Sequence, residues 1–478
     1  PGPDNGRLFY RSTDWLAEDF MEANDVQHEA NWLRAEVGRH VFHPMADPKD
    51  TVANPPPIVM RGDGVHVTDL DGRRMLDCQG GLWCVNAGYG REEIIEAISR
   101  QARELPYYTM FPGSANAPAV QLAAKLCELT ASEGMGRVLY GSGGSDATET
   151  AFKIARQYWK LAGQPERLKY LSLRGGYHGL HFGGMSACGG DAWRRNYEPL
   201  VPGFINVESP NLYRPPFEGV SPDQLGEMCA RLLEREILFQ GPDTIAALIA
   251  EPVQGAGGVN VPPANYWPRL REICDRYGIL LIADEVITGL GRSGELFGVR
   301  NWGVTPDIMC LAKGITSGYI PLGATLISER MAAAWEAPGP TSVVMHGYTY
   351  SGHPVACAAG LAAIDITLRE KLHENARVVG DYFLARLKTL MDRHEVIGDV
   401  RGKGLMIAVE LVKNRATREA FAPTDSYPGR VSDACLDKGV MLRTIVNKFI
   451  ISPPLIFTKS HADEVVAVLD QALATTGR

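Results

Sequence analysis

Short apolar runs alternate with longer amphipathic segments through the middle of the chain. Because only strands covered on both faces are apolar without alternation, six runs predict buried strands, at residues 138–140, 170–173, 245–250, 279–283, 308–312 and 322–327. Between them, residues 146–161 and 268–276 carry apolar side chains at helical spacing. This alternation of strand and helix predicts an α/β fold with a large central domain around a mostly parallel sheet.

The two ends of the chain have different patterns. Residues 13–37 and 460–474 predict helices, while residues 58–78 and 400–411 predict strands. We therefore predict that both termini together build a smaller α+β domain. The predicted boundaries are 1–86 for the N-terminal segment with part of the small domain, 87–345 for the large domain, and 346–478 for the C-terminal part of the small domain.

Charge and composition exclude some classes of function. The 478 residues contain 48 Lys and Arg against 56 Asp and Glu, a net charge of −8, whereas nucleic-acid binding needs a basic surface. The longest stretch without a charged residue, 337–364, contains Pro338, Pro340 and Pro354, so no membrane helix is predicted. The sequence begins without an apolar leader and its nine cysteines are scattered, which predicts a cytoplasmic protein with reduced thiols.

A glycine-rich segment, Gly141-Ser142-Gly143-Gly144-Ser145, follows the first predicted strand and opens a helix. Glycines let backbone N–H groups approach an anion, and a helix N-terminus adds unpaired donors and a favourable dipole. No Gly-Lys-Ser/Thr follows, so the segment is not a P-loop. It predicts a phosphate site, with a tight strand-to-helix turn as the alternative.

Two further predicted strands end in ionisable side chains. Asp284 and Glu285 follow residues 279–283, and Lys313 follows residues 308–312. Ligands of open α/β sheets bind at these carboxyl ends, and a desolvated lysine is a nucleophile toward carbonyl groups. Taken singly, the acids could form a surface pair and the lysine could reach solvent. Together, a phosphate site, an acid for a pyridinium nitrogen and a Schiff-base lysine are the requirements of pyridoxal 5′-phosphate (PLP).

The sequence resembles the class III (ω) aminotransferases, a family of fold-type I PLP enzymes, over about residues 30–475. The resemblance rests on six motifs in the family's order, at residues 141–147 (GSGGSDA), 177–179 (YHG), 251–255 (EPVQG), 283–286 (ADEV), 311–314 (LAKG) and 348–352 (YTYSG). It implies the fold-type I architecture and a homodimer with shared active sites, alone or as a dimer of dimers.

By position, the resemblance implies a role for each matching residue. Lys313 binds the cofactor covalently and moves the proton during catalysis, while Asp284 keeps the pyridine nitrogen protonated. The other cofactor-binding positions are Gly143, Gly144 and Ser145 for the phosphate, joined by Thr349 with Tyr348 beside it from the neighbouring subunit, Tyr177 and Val286 for the two ring faces, and Glu251 as a polar support.

Within the family, several positions resemble the amine:pyruvate branch. Ile287 stands where ornithine- and 4-aminobutyrate-type members have a glutamine. The implied substrate-binding residues are Trp83, Met45, Tyr177 and Arg443, the last matching the branch's mobile arginine. A guanidinium binds the carboxylate of pyruvate bidentately but must swing away from an uncharged amine tail. The resemblance therefore implies transfer of an amino group from a primary amine or ω-amino acid to pyruvate.

Alternative functions stay open at this point. Class III enzymes with another acceptor, decarboxylating transaminases and aminomutases would keep the fold and change the reaction. A nicotinamide-dependent dehydrogenase would use the glycines of 289–294, but no helical pattern follows them. His178 and His181 lack a third ligand, so we predict packing or hydrogen-bonding histidines and no metal site.

Overall fold

The computed structural model describes residues 23–336 and 342–477. The first ten residues of the helix predicted at 13–37 lie outside these ranges. The described residues form two compact units, one of 23–61 with 67–74, the other of 62–66 with the residues from 75 onward. In these parts of the chain, no helix combines the length and the apolar character that a membrane crossing needs.

The helices and strands are numbered in chain order. The helices are α1 Ala23–His40, α2 Pro48–Ala53, α3 Gly80–Trp83, α4 Glu92–Glu104, α5 Ala117–Leu129, α6 Gly144–Leu161, α7 Phe182–Ala187, α8 Pro222–Gln240, α9 Tyr266–Tyr277, α10 Glu329–Ala332, α11 Pro354–Arg369, α12 Leu372–Lys388, α13 Tyr427–Leu436 and α14 Lys459–Thr475. The strands are β1 Val59–Asp63, β2 His66–Asp69, β3 Arg74–Asp77, β4 Met135–Gly141, β5 Lys169–Leu173, β6 Phe204–Val207, β7 Ile245–Ala250, β8 Leu280–Asp284, β9 Ile308–Leu311, β10 Gly323–Ser328, β11 Ile397–Lys403, β12 Met406–Asn414, β13 Glu419–Ala420, β14 Val440–Met441, β15 Arg443–Ile445 and β16 Lys448–Ile451.

A seven-stranded sheet forms the centre of the larger unit, in the order β4-β10-β9-β8-β7-β5-β6. Strand β10 runs antiparallel to β4 and β9, while β5 to β9 run parallel to one another. The α/β fold with a mostly parallel sheet is therefore confirmed. Strand β6 was not predicted, because only Val207 of its four residues is buried and the apolar run is weak.

Helices cover both faces of this sheet, and this explains the continuous apolar runs. Every residue of β7, β8 and β9 is buried. Because successive side chains of a strand point to opposite faces, Leu248 and Leu281 join the core shared with α5, α8 and α9. Their neighbours Ile249 and Ile282 join the core beneath α6.

A second sheet of the larger unit lies near the C-terminus. Strands β11, β12, β16 and β15 pair antiparallel, and β13 pairs with β12. Helices α12, α13 and α14 pack on this sheet through a separate apolar core. Residues 76–77 pair in parallel with 440–441, so chain segments from before and after the central sheet meet. The three domain boundaries given above stay predictions.

The smaller unit contains α1, α2 and a turn after β2. Helix α2 begins with Asp47 as its N-cap, whose carboxylate accepts the Lys49 N–H at 2.9 Å. In the turn, the buried Asp69 carboxylate accepts the backbone N–H groups of Asp71 (3.0 Å) and Arg73 (2.9 Å). These local bonds stabilise the turn at Asp71-Gly72, which interrupts the segment predicted as strands at 58–78.

Candidate active site

The carboxyl ends of the parallel strands β7, β8 and β9 lie at one edge of the central sheet and border a cavity of about 320 Å³. This is the edge at which open α/β sheets bind ligands. The predicted site residues that line the cavity are Gly143, Gly144, Ser145, Tyr177, Glu251, Asp284, Val286 and Lys313. The structure therefore brings together residues that are up to 170 positions apart, from 143 to 313.

The start of α6 forms one wall of the cavity. Gly143 is the N-cap and supplies no side-chain acceptor, so the N–H groups of the first turn are available to an anion. A Cβ atom at Gly144 would lie 2.7 Å from Val286 Cγ1, so only glycine allows this close approach. Asp146 accepts the Ser142 N–H at 2.6 Å and fixes the preceding turn.

Lys313 follows β9 and opens a short 3₁₀ turn, Lys313–Thr316. Its φ of +48° is left-handed, which is uncommon for a residue with a side chain. The amine makes no hydrogen bond with any described residue. Burial lowers the pKa of this amine, although the Cys84 thiol and the Asp284 carboxylate oppose the shift. An amine with a lowered pKa is a better nucleophile near neutral pH.

Asp284 ends β8 with its carboxylate buried, and each oxygen accepts one hydrogen bond, which leaves acceptor capacity for a further donor. One oxygen accepts the ring N–H of His178 at Nδ1 (2.8 Å), and the other accepts the Val286 N–H (3.1 Å). His178 is itself buried and is anchored by the Thr148 hydroxyl, which donates to the His178 carbonyl at 2.7 Å. This pairing fixes the proton of the imidazole on Nδ1. His178 is thus a hydrogen-bonding histidine, as predicted.

Glu251 is a second buried carboxyl group in the cavity wall. Its oxygens accept the N–H groups of Tyr177 (2.9 Å) and Gly255 (2.8 Å). Burial, aided by the nearby charge of Asp284, raises the pKa of Glu251 to about 7. The Tyr177 ring packs edge-to-face on Trp193, with ring centroids 5.1 Å apart. Glu251 therefore fixes the backbone that presents Tyr177.

Two of the predicted substrate-binding residues lie behind or beside this wall. Trp83 does not line the cavity but is 2% exposed in an apolar cluster with Ile287 and Met406, and Ile287 does line it. Arg443 begins β15 and is half-buried. Burial lowers its pKa, against the nearby charge of the Tyr177 hydroxyl, and its own charge helps to lower the pKa of Lys313.

The remaining predicted site residues do not line the cavity of their own chain. The Tyr348 hydroxyl donates to the Asp146 carbonyl at 3.2 Å, near the start of α6. The Thr349 carbonyl accepts the Tyr107 hydroxyl at 2.7 Å. Met45 belongs to the smaller unit, where it is 65% exposed with a φ of +60°. The roles assigned to these three residues stay predictions.

Comparison with known proteins identifies the family. The family model "Aminotransferase class-III" matches residues 49–473. This chain belongs to the class III aminotransferases. A putrescine–pyruvate aminotransferase of Pseudomonas aeruginosa is 41% identical over 441 residues, which are 91% of this chain and 94% of that protein.

Two further proteins are similar over most of their length. A diaminobutyrate–2-oxoglutarate transaminase of Halomonas elongata is 40% identical over 424 residues, 87% of this chain and 90% of that protein. A third similar protein is an amine transaminase from an uncultivated Pseudomonas species, whose crystal structure is in the PLP-bound form. This chain superposes on it with a TM-score of 0.90 and 52% sequence identity, over 92% of this chain and 99% of that one. The predictions of a fold-type I, PLP-dependent aminotransferase are confirmed.

The cavity of this class III aminotransferase fits PLP. The uncapped start of α6 provides N–H donors for a phosphate, and the close approach of Gly144 to Val286 keeps that wall narrow. The Lys313 amine, without a partner among the described residues, suits covalent attachment. Asp284 provides the buried anion that a protonated pyridine nitrogen needs.

The sequence alone missed several residues of this site. His178 was recognised as a hydrogen-bonding residue, but its partner Asp284 was not foreseen. A buried carboxylate requires a partner, and the histidine of the 177–179 motif is the signal that could have identified it. Other unpredicted lining residues are Cys84, Ser142, Thr148, Gly179, Ala312, Thr316, Gly318, Ile320, Pro321 and Leu322. Ser142, Gly179 and Ala312 lie within the motifs at 141–147, 177–179 and 311–314, whereas no motif quoted above separates the others from ordinary core or loop positions.

Proposed function

We propose that this aminotransferase moves an amino group from a primary amine or ω-amino acid to pyruvate, giving alanine and a ketone or aldehyde. The observation that carries the proposal is the cavity in which Lys313, Asp284 and the start of α6 converge. The putrescine–pyruvate relative supports pyruvate as the acceptor. The two half-reactions alternate at one site, so we expect ping-pong kinetics.

Lys313 Nζ is the group that we assign to covalent binding and proton transfer. When bound, PLP supplies an aldehyde that condenses with amines and a ring that withdraws electrons from the reacting carbon. Burial lowers the pKa of Lys313, so the free amine is populated closer to neutral pH. We propose that Nζ would take the proton from the reacting carbon of the amine in the first half-reaction and would deliver a proton to the carbonyl carbon of pyruvate in the second.

Asp284 is assigned to holding a proton on the pyridine nitrogen. Its buried negative charge favours the protonated form of a neighbouring base. The hydrogen bond from His178 Nδ1 restricts the orientation of the carboxylate, which leaves it fixed when substrates exchange. His178 is therefore proposed as a positioning residue.

The charges around the cavity favour an acceptor with one carboxylate. The lining residues include no arginine, but Arg443 is near enough for its charge to lower the pKa values of both Tyr177 and Lys313. One guanidinium binds one carboxylate bidentately, which suits pyruvate. The second carboxylate of 2-oxoglutarate would need another cation, and Lys313 is committed to the reaction. Trp83 is proposed to limit the amine side of the pocket through Ile287.

A homodimer in the cytoplasm is the proposed working form. Tyr348 and Thr349 do not line the cavity of their own chain, which is consistent with their serving the site of a neighbouring subunit. Large apolar side chains close to them in sequence are exposed, with Met345 at 88% and Tyr350 at 58%. The nine cysteines are free, as expected in a reducing compartment.

The acceptor is tested by comparing pyruvate with 2-oxoglutarate, with alanine and glutamate formation measured for a panel of amine donors. The 2-oxoglutarate-dependent relative makes this the decisive alternative. We expect pyruvate to be favoured, and the variant Arg443→Ala to raise the KM for pyruvate by about tenfold or more.

The control for Arg443 is Arg393→Ala, which removes an exposed arginine paired with Asp470 on the surface. This control should leave the KM for pyruvate unchanged. Equal or faster turnover with 2-oxoglutarate in the unaltered enzyme would contradict the assigned acceptor. Carbon dioxide release without alanine would instead favour a decarboxylating enzyme.

A further inference from the structure

A fully buried arginine lies close to the Lys313 turn without a carboxylate partner. Arg292 has a side chain that is 0% exposed, and it forms no ion pair within the described ranges. Its guanidinium donates to the carbonyls of Leu405 (3.1 Å) and Pro453 (2.8 Å) and to Asn86 Oδ1 (2.8 Å). Burial lowers the pKa of Arg292 to about 10. A desolvated charge without a counter-ion is destabilising, so its presence here calls for a structural reason.

Asn86 connects this arginine to the neighbouring segments. Its side-chain oxygen accepts from Arg292, and its side-chain nitrogen donates to the Leu290 carbonyl at 3.0 Å. Its backbone carbonyl accepts the Leu455 N–H at 2.8 Å. With both ends of the amide bonded and 1% exposure, the side chain has one available orientation.

The fixed amide of Asn86 packs directly on the residue after Lys313. A Cβ atom at Gly314 would overlap Asn86 Nδ2 and lie 3.0 Å from Asn86 Cγ. Next to it, the Ala87 N–H donates to Ser317 Oγ at 2.8 Å. Residues 86 and 87 therefore contact the turn near its start and at its end.

The turn itself has a backbone that requires such support. Lys313 and Ser317 have left-handed φ angles of +48° and +53°. Non-glycine residues keep this conformation only where the surrounding structure determines it. Asn86 and Ala87 supply that surrounding structure, and Arg292 holds Asn86.

We propose that Arg292 and Asn86 are positioning residues that hold the Lys313 amine in its reactive place, through Gly314 and without touching substrate. The inference rests on the proposed function for the role of Lys313. The inference goes beyond the proposed function because it assigns an effect on turnover to two buried residues outside the cavity wall.

Arg167 provides a matched control. It is also buried, at 8% exposure, and donates to backbone carbonyls, those of Pro242 (3.0 Å) and Ile245 (2.9 Å). It lies where β7 begins, at the opposite edge of the sheet from the cavity. A purely structural role for buried arginines predicts the same result at both positions, whereas positioning predicts a difference.

The first experiment compares the holoenzymes of Arg292→Met, Arg292→Lys and Arg167→Met. We expect Arg292→Met to lower kcat by about tenfold or more with little change in the KM for pyruvate, because a small displacement of a reacting group is costly. The pH midpoint of the visible absorbance of the lysine-bound cofactor should shift as well. Arg292→Lys, which keeps a donor toward Asn86, should recover part of both values. Arg167→Met should change neither kcat nor the pH midpoint of the absorbance, although the thermal unfolding midpoint of this variant should fall.

The second experiment is a double-mutant cycle between Asn86→Ala and Gly314→Ala, and it applies even where Arg292→Met folds poorly. Removing the Asn86 amide makes room for the new Cβ, so Gly314→Ala should affect kcat and the absorbance midpoint less in the Asn86→Ala background. Additive effects, or equal effects of Arg292→Met and Arg167→Met on kcat and the midpoint, would overturn the proposal. Turnover and visible absorbance of the unaltered holoenzyme separately test the proposed function, and the Lys313→Ala variant tests the assignment of Lys313.

Discussion

Strand β9 has an ionisable residue just outside each end, and the two are treated differently by the structure. Before the strand, Asp307 is 6% exposed and accepts from Arg271 Nη1 (2.9 Å), from Arg330 and from the Leu281 N–H (2.8 Å). After the strand, Lys313 has no hydrogen-bond partner in the described structure and borders the cavity. We call the side of the sheet at which β9 begins the amino edge and the side at which it ends the carboxyl edge. The charge of Asp307 at the amino edge is satisfied by its partners, while Lys313 at the carboxyl edge is available to a ligand.

The two ends of this short strand therefore have different roles, since the residue at the amino edge stabilises the fold and the residue at the carboxyl edge serves the chemistry. A buried charge with a full set of partners fixes the fold and has nothing left to bind a ligand. A buried amine without partners is destabilising, and such groups are concentrated at active sites, where their shifted pKa values are useful. We therefore expect substitutions at the carboxyl edge to reduce turnover and those at the amino edge to reduce stability.

The largest effect is expected for Lys313→Ala. Removing the amine eliminates covalent attachment and proton transfer, so alanine formation should fall by about a thousandfold or more. The visible absorbance of the lysine-bound cofactor should disappear, while the thermal unfolding midpoint of the protein without cofactor should not fall below that of the parent, because the buried amine has no partner whose loss would destabilise the fold. Retained turnover would contradict the role given to the carboxyl edge.

Asp284→Asn should lower kcat by about a hundredfold, since a neutral amide no longer favours a protonated pyridine nitrogen. Steady-state kinetics with saturating amine and pyruvate measures this. His178→Gln, which removes the imidazole that orients Asp284, should have a smaller effect in the same direction. A greater loss for the histidine variant would show that the assigned order of roles is wrong.

Asp307→Asn tests the amino edge. The amide weakens the interactions with Arg271 and Arg330, so the free energy of unfolding should fall by about 2 kcal/mol. Urea denaturation measures the change, and kcat should remain within about twofold of the parent value. A large loss of kcat in a stable protein would remove the distinction between the two edges.

Glu285, beside Asp284, is buried at the carboxyl edge of the sheet and is nevertheless fully bonded. It accepts from the Thr288 hydroxyl and from the N–H groups of Gly298 and Val299, both at 2.8 Å. Burial raises the pKa of this carboxyl to about 7, above its ordinary 4.5. Its contribution to stability is therefore complete below pH 4.5 and is lost as the pH rises to about 7.

The variant Glu285→Gln should remove this part of the pH dependence. The difference in unfolding free energy between parent and variant should move in favour of the variant from pH 4.5 to pH 8, measured by urea denaturation. A difference that does not change with pH would mean that Glu285 is ionised in both the folded and unfolded protein.

The smallest effect is expected far from both edges of β9, at the start of α8. Ser221 and Gln224 form a capping box there. Ser221→Ala should lower the free energy of unfolding by about 1 kcal/mol without changing kcat. A change in kcat would show that the stability of α8 affects the active site. In that case kcat would no longer distinguish substitutions at the carboxyl edge from those elsewhere.

Local patterns were sufficient for much of the fold. The apolar run at 245–250 predicted both ends of β7 correctly. The helix predicted at 268–276 is α9, which begins two residues earlier and ends one residue later than predicted. Each of these elements is encoded in its own apolar spacing. The segment at 400–411 is divided at Gly404 into β11 and β12, a turn that the strand pattern did not resolve.

Contacts between distant residues could not be read from local patterns. The bond between His178 and Asp284 joins positions 106 apart, and the bond between Asn86 and Arg292 joins positions 206 apart. Motifs indicated which residues take part in the chemistry but gave no information on which buried groups hold them. Arg292 in particular lies in the glycine-rich loop of residues 289–294, and no local pattern there indicates a bond to Asn86.

Covalent binding of the cofactor to Lys313, on which the other proposed roles depend, can be tested directly. The holoenzyme is treated with borohydride, which makes the bond between lysine and cofactor permanent, and is then digested for peptide mass spectrometry. We predict one modified peptide, with the added mass on Lys313. A modification on a different lysine, or none in an enzyme that shows its visible absorbance before reduction, would show that Lys313 is not the attachment site.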